Sequence, residues 1–381
     1  MTIHIVADEN MALVQEFFGD LGSLRCYSGR QLSNEQVKDA DVLLVRSVTE
    51  VNAKLLTNSR VRFVGSATIG ADHLDKGWLE SQNIRMTTAP ACNARSVVEY
   101  VLTAISAVAE RLQIDLSTKV LGIVGLGNVG FLLATVAQSL GIKVLGCDPF
   151  VNHPSIQQCA LKELLASADI VSLHTPLTRQ GEYPTHHLFN EQTLTLLKPN
   201  SILLNTGRGA VIDNQALLSF VESNPEHLAA IVLDVWEGEP LINARLIPYV
   251  TLATPHIAGY SLEGRTRGTE QVYQALCQFL GLRPQHQLKD FLPINPSVIT
   301  ASPNVNLWLM LSQVLQTAYP IMNDDQQLRA TMQLPENERA LAFDLLRKHY
   351  WPRRQFVSHQ VIVEQANVEA IDMLNKLGFL V

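Results

Sequence analysis

Short runs of β-branched and other apolar residues punctuate the first part of the chain: "IHIVA", "VLLVRS", "VRFVGS" and "IRMTTA". Stretches with helical spacing, such as "MALVQEFF", lie between most of them. Apolar strands alternating with helices are the pattern of a parallel sheet covered on both faces. One α/β unit is therefore expected over residues 1–95. A helix from about Ala94 to Leu112 follows, and its most apolar stretch, "VVEYVLTAISAVA", contains Glu99. That stretch is too short to span a bilayer, so it reads as a buried helix. A second series then begins, with strand candidates in "VLGIVG", "KVLGCD", "DIVSLHTP", "SILLNTGRG", "AAIVLDVW" and "VTLATPH". Strands joined by crossover helices make a doubly wound sheet, whose ligands bind beyond the carboxyl ends of the strands. Most of the chemistry-bearing text of this series falls at those ends.

Past Gly281 the text "LRPQHQLKDFLPINPSVITASPN" is rich in Pro, Asn and Ser and reads as a linker or extended segment. The tail beyond it closes on "QVIVEQANVEAIDMLNKLGFLV", which reads as strand, helix, strand in a third and smaller domain. No repeat at a solenoid period and no low-complexity tract interrupts this order.

Composition narrows the class. With 47% apolar and 17% charged residues and a formal charge of −7, the chain is globular and mildly acidic. Nucleic acid is a poor partner, because no dense Lys/Arg run before the tail could displace its counterions. The five cysteines (Cys26, Cys92, Cys147, Cys159, Cys277) are odd in number and scattered, suggesting neither a disulfide framework nor a thiolate metal site. No metal is expected, and a reducing cytoplasm suits these thiols. The start, "MTIHIVADENM", lacks the basic segment and apolar core of a signal peptide, so neither secretion nor a membrane is expected.

The candidate chemistry begins at "GLGNVG", where Gly125, Gly127 and Gly130 follow a strand and open a helix, with Asn128 and Val129 in the turn. Glycines there permit the tight turn, close approach of a pyrophosphate and helix packing, and the helix N-terminus favours the anion. The next strand ends at Asp148, whose carboxylate can accept from ribose hydroxyls and would repel a 2′-phosphate, favouring NAD over NADP. Arg208 in "NTGRGAVID" sits between glycines past a strand end. Its planar fork suits a carboxylate, and a salt bridge pinning the loop is an equal alternative on the isolated motif. Glu237 in "LDVWEGEP", with Glu239 two residues on, offers a carboxylate to orient an imidazole. His256 in "TPHIAGY" is the imidazole. Alone it would more often be a satisfied core group. At successive strand ends of one dinucleotide-binding sheet, an anion clamp, a carboxylate and a proton carrier are what oxidation of a 2-hydroxy acid requires.

On these residues, from about position 40 to 280, the chain resembles the D-isomer-specific 2-hydroxyacid dehydrogenases, with Arg208, Glu237 and His256 in the places of the catalytic Arg, Glu and His. The resemblance implies α/β architecture with two doubly wound parallel-sheet domains. A Rossmann-type NAD domain (96–257) is inserted in a flavodoxin-like substrate domain (1–95 and 258–285), and a small α+β C-terminal dimerisation domain (286–381) follows. It also implies cofactor contacts at Thr175, Thr206, Gly207, Arg208, Asp234 and Gly259, and substrate contacts at Ser47, Thr68 and Tyr260. "ADENM", "LVRSVTEVN", "APACNARSVVEYV", "HTPLTRQGEYPTHHLF" and "PHIAGYSLEGRTRGT" narrow it to a branch acting on a small phosphorylated 2-hydroxy acid and forming homodimers. Arg46 is the candidate for the phosphate. The basic group Arg347, Lys348, Arg353 and Arg354 reads as a solvated face ahead of one reaching substrate across a dimer. Two alternatives share these motifs: a D-3-phosphoglycerate dehydrogenase, and a non-catalytic NADH-sensing protein of the same fold.

Overall fold

A computed structural model describes residues 2–293, 296–302, 306–364 and 367–381. Parts of the expected linker (294, 295, 303 and 304) with position 305, and the join between the last strand and helix of the tail (365 and 366), lie outside the described residues. The chain divides into two compact units: Met1–Asn93 with Tyr260–Ile294, and Ala94–Gly259 with Asn295–Val381.

The first unit is built on β1 (Ile3–Asp8), β2 (Gly22–Tyr27), β3 (Val42–Val45), β4 (Phe63–Ser66) and β5 (Arg85–Thr87). They form a parallel sheet of order β2-β1-β3-β4-β5. Successive side chains of a strand point to opposite faces, and the core divides accordingly. Ile5, Ala7, Val42 and Leu44 pack with Phe17, Phe18 and Val272 on one side. Val6, Leu43 and Val45 pack with Val37, Leu55 and Leu79 on the other. The helix Leu262–Leu280 returns to this sheet at Gly65, where a Cβ would stand 2.4 Å from Val272 Cγ1. The edge strand β2 was not foreseen. Its sequence, GSLRCY, has no fully buried residue and so carries no apolar run to announce it.

The second unit holds β6 (Val120–Val124), β7 (Lys143–Cys147), β8 (Ile170–Leu173), β9 (Ser201–Asn205), β10 (Leu228–Leu233) and β11 (Leu252–Ala253). They make a parallel sheet of order β11-β10-β9-β8-β6-β7. Strand order reverses at β6, between β7 and β8, and it is there that "GLGNVG" leaves the sheet. The helix Ala94–Leu112 spans the expected range and is buried along Val97–Ala109, Glu99 included.

The tail shares the core of this second unit. Leu328, Met332 and Phe343 are buried in the same cluster as Leu217, Leu246, Val250 and Ala253, each such burial stabilising by about 1.5–3 kcal/mol. Its own sheet pairs β12 (Ser297–Ala301) with β13 (His359–Val363) in parallel. β12 lies inside the stretch read as linker, because "SVITA" alternates exposed and buried positions between prolines and is too short to stand out. The last strand of the tail shrinks to a single bridge, Gln360 with Leu380, after the helix Val368–Leu377.

Candidate active site

Gly125 holds φ at +92°, and a Cβ there would crowd the His174 carbonyl of the neighbouring strand end at 3.0 Å. A Cβ on Gly130 would lie 1.9 Å from the Gly125 carbonyl oxygen, so the helix Asn128–Ser139 can approach the turn only without one. A Cβ on Gly127 would meet nothing within 4 Å. The turn is therefore packed behind and open in front, at a helix N-terminus whose cap residue offers no side-chain bond. Asp148 is more than a surface carboxylate. Its Oδ2 accepts from Leu126 N at 2.8 Å, and its Oδ1 from Phe150 N at 2.9 Å and Val151 N at 3.2 Å. It thus ties the glycine turn to the loop after β7, and Oδ2, with a single donor, keeps a lone pair for a ribose hydroxyl.

The strand ends beside the turn fit the same dinucleotide. The Thr175 hydroxyl is buried with no hydrogen-bond partner among the described residues, an arrangement that costs about 1–3 kcal/mol unless a ligand satisfies it. Thr206 Oγ1 lies 3.2 Å from His174 Nδ1, and His174 Nε2 lies 2.8 Å from Ser172 Oγ. Burial pushes the His174 imidazole down to about 3, so it stays neutral as a brace between two strand ends.

Arg208 begins the loop after β9. Its Nη1 donates to Gly207 O at 2.9 Å, while Asn205 Nδ2 donates to Arg208 O at 3.0 Å and Asn205 Oδ1 accepts from Gly207 N at 3.0 Å. Gly209 brings this loop against the next one, since a Cβ there would stand 1.9 Å from Trp236 O. Here the expected pairing needs correction. His256 Nδ1 meets Glu239 Oε2 at 2.7 Å, whereas Glu237 Oε1 meets His187 Nε2 at 2.6 Å and its Oε2 accepts from Asn214 N at 3.2 Å. Between the two carboxylates Gly238 turns the chain at φ +80°, and they leave in different directions. Burial raises the Glu239 carboxyl, but His256, Arg347 and the Trp236 N–H outweigh it and hold the group below its ordinary range. An ionised Glu239 requires His256 to carry its proton on Nδ1, leaving Nε2 as the basic nitrogen.

The backbone under His256 is left-handed, with φ +58°. Asp234, read as a cofactor contact, holds it there. This buried carboxylate accepts from Ile257 N at 2.7 Å, Ala258 N at 3.0 Å and Thr254 Oγ1 at 2.7 Å. Its own carbonyl accepts from His256 N at 2.7 Å. Trp236 Nε1 donates to Thr254 O at 2.9 Å, and Tyr100 OH lies 2.6 Å from Thr254 Oγ1. Two of the three tail arginines read as part of a solvated face are not on it: Arg353 and Arg347 are buried, while Lys348 is exposed and Arg354 donates to Ser358 Oγ. His186, His187 and Glu237 have ligand atoms within 4.8 Å of one another. The two imidazoles, however, stack at 3.9 Å with planes 21° apart, so their in-plane lone pairs do not converge on one ion.

In the first unit, Arg46 reaches Tyr260 OH and Asp8 Oδ2, each at 3.4 Å. Arg265, overlooked in the sequence, lies 5.4 Å from the centre of the Tyr260 ring. Burial pulls the Arg265 guanidinium below its ordinary value; Tyr260 opposes this, Arg46 adds to it and Asp8 offsets it. Two guanidiniums beside one phenol form a cationic corner. The signal was present in "YSLEGRTRGT", where Ser261 caps a helix and sets Arg265 in its first turn. Ser47 is exposed, and Thr68 Oγ1 is engaged with Ser66 Oγ at 2.8 Å and Gly70 O at 3.1 Å.

Known proteins resemble this chain over much of its length. Residues 98–258 match the family described as D-isomer specific 2-hydroxyacid dehydrogenase, NAD binding domain, and residues 292–378 match a domain of unknown function (DUF3410). An erythronate-4-phosphate dehydrogenase of Marinobacter nauticus is 46% identical over 98% of both chains. One from Cellvibrio japonicus is 44% identical over 98% of this chain and 99% of its own. Among solved structures, the TT0316 protein of Thermus thermophilus superposes with a TM-score of 0.66 at 26% identity, covering 74% of this chain and 99% of that one. An NAD⁺-bound 3-phosphoglycerate dehydrogenase of Entamoeba histolytica shares the fold, with a TM-score of 0.64 at 22% identity over 77% of this chain and 100% of its own. With 46% and 44% identity to these enzymes over nearly its whole length and the NAD-binding domain in place, the chain belongs to the erythronate-4-phosphate dehydrogenases, within the D-isomer-specific 2-hydroxyacid dehydrogenases.

Proposed function

We propose that this enzyme oxidises C2 of 4-phospho-D-erythronate to (R)-3-hydroxy-2-oxo-4-phosphooxybutanoate. The observation that carries the reading is the His256–Glu239 pair, 2.7 Å apart, at the carboxyl end of the sheet that bears the glycine turn. NAD supplies the hydride acceptor when bound. Gly125, Gly127, Asn128, Val129 and Gly130 would hold its pyrophosphate, Asp148 its ribose, and Thr175, Thr206, Gly207, Arg208, Asp234 and Gly259 its remaining polar groups. Arg208 grips the substrate carboxylate and steadies the forming carbonyl. As the C2–H bond breaks, the hydroxyl proton passes to His256 Nε2. Glu239 fixes the tautomer that leaves this nitrogen free and stabilises the imidazolium that results. Glu237 takes the supporting place, bonded to His187.

Arg46 and Arg265 are assigned to the phosphate, because a dianion between them would relieve their mutual repulsion; Ser47, Thr68 and Tyr260 are assigned to other substrate oxygens. The tail is assigned to homodimer contact, which its exposed Val298, Leu341, Ile362 and Val368 support. We infer also that the product feeds vitamin B6 formation in the cytoplasm. That setting is consistent with five free cysteines and with the absence, among the described residues, of any helix long and apolar enough to cross a membrane. The test is a comparison of 4-phosphoerythronate with 3-phosphoglycerate at one NAD concentration, followed by absorbance of the reduced cofactor. Faster growth with 4-phosphoerythronate is expected. Faster growth with 3-phosphoglycerate would assign the alternative substrate, and cofactor binding with no turnover of either would point to a sensor.

A further inference from the structure

We propose that Arg353 of the C-terminal tail is a positioning residue for the reaction, holding the Ile257–Gly259 loop by the Ala258 carbonyl and so keeping His256 in its left-handed backbone conformation. The proposal rests on the reading of His256 as proton acceptor. A non-glycine residue at positive φ costs about 1–3 kcal/mol and persists only where its surroundings over-determine it. Asp234 secures the N–H groups of this loop, as described above. Its carbonyl side is secured from the tail, where Arg353 Nη2 donates to Ala258 O at 2.5 Å and lies 3.4 Å from Ser96 O.

Arg353 is suited to hold rather than follow. Only 2% of its surface is exposed, so water cannot replace its bond to the loop. Its guanidinium lies 4.3 Å from the centre of the Tyr319 ring. The Tyr319 hydroxyl donates to Asp324 Oδ2 at 2.7 Å, and Tyr350 donates to the same oxygen at 2.8 Å. Gln355, two residues on, donates to Ser96 Oγ at 3.0 Å, anchoring this part of the tail on the helix Ala94–Leu112. The strand leading into His256 is tied to the tail as well. Asp325 Oδ1 accepts from Ala253 N at 2.8 Å, and Arg329 donates to Ile247 O at 3.1 Å and Val250 O at 2.5 Å. Both ends of the segment carrying His256 are thus fastened to the tail, and Arg353 is the fastening on the side that follows His256, at Ala258.

The test is a double-mutant cycle on the full-length enzyme, with 4-phosphoerythronate and NAD as substrates. Arg353→Met is expected to lower kcat by about tenfold or more, the scale on which small misplacements of a reacting group are felt. The Kd for NAD, read by fluorescence, should change by less than about threefold, and Arg353→Lys, which keeps a donor, should recover part of kcat. In a His256→Asn background the same Arg353→Met change should cost less than about twofold, because residues acting through one another are not additive. Should Arg353→Met fail to fold, Tyr319→Leu, which removes the surface under the guanidinium, is read through the same cycle. Equal losses in both backgrounds, or a lowered melting temperature with unchanged kcat, would overturn the role of Arg353. Full activity of His256→Asn alone would instead overturn the proton-acceptor reading, and with it any action through that residue.

Discussion

His256 and the two carboxylates of "WEGEP" show how much chemistry turns on one backbone angle. Glu237 and Glu239 have the same functional group two residues apart, and Gly238 at φ +80° sends one to His187 and the other to His256. Glu239→Gln is therefore expected to lower kcat by about 100-fold, since an amide neither charges the imidazolium nor fixes the tautomer as a carboxylate does. Glu237→Gln should cost less than about fivefold on the same scale, because its carboxylate is bonded to His187 and the Asn214 N–H. Steady-state kinetics on the two variants separates them, and the reverse order would return the role to Glu237. The residues themselves were readable: Arg208, His256 and the glycine turn stand in texts whose spacing follows from the chemistry. Which glutamate meets His256 was not, because loop residues have no periodicity to aim them. Arg265 escaped for a related reason, since a charged residue in the first turn of a helix usually faces water.

At the scale of elements, the strand that leads into His256 is the smallest in its sheet. β11 has two residues and lies at the edge, where unpaired backbone groups must find partners elsewhere. The helix Ile321–Thr331 supplies one through Asp325, which accepts from Ala253 N, while Arg329 holds the carbonyls of Ile247 and Val250 just before the strand and pairs with Asp325 at 2.8 Å. Asp325→Ala would strand the buried Ala253 N–H and leave Arg329 without its carboxylate. A loss of about 1–3 kcal/mol is expected, the cost of leaving a buried donor unsatisfied. Asp325→Asn, which can still accept from Ala253 N, should lose less; urea denaturation of both variants measures the difference. The sequence revealed strands in proportion to their burial. Those of the second sheet were all visible as apolar runs, and the helix Ala94–Leu112 matched its expected limits. β2 and β12 were passed over because their residues lie partly in water, and partners distant in sequence, not local pattern, make them strands.

For the molecule as a whole, the tail is the part that sequence alone explained least, and two of its properties can be measured. Its exposed Val298 and Ile362 lie on the two strands of the small sheet. If these form the proposed dimer contact, light scattering should give twice 42.2 kDa for the wild type, and Val298→Lys with Ile362→Lys should give the single mass. The second property is a pH term in folding. Glu99 is buried in the helix Ala94–Leu112, bonded to Arg95 Nε at 3.0 Å and to Phe356 N of the tail at 3.1 Å. Burial pushes its carboxyl up to about 7, against the pull of Arg95, the Phe356 N–H and Arg353. The folded state therefore keeps a proton that the unfolded chain releases above its ordinary value of 4.5. Stability from this group is complete below pH 4.5, falls as pH rises toward 7, and is constant above that, where both states are ionised. Glu99→Gln keeps an acceptor for Phe356 N and cannot ionise. Its melting temperature relative to the wild type should rise steadily between pH 5 and pH 7 and then level off, within the window set by the two values. A difference that stays flat across that interval would mean that Glu99 is ionised in the folded enzyme throughout, with Arg95 and the tail N–H outweighing its burial.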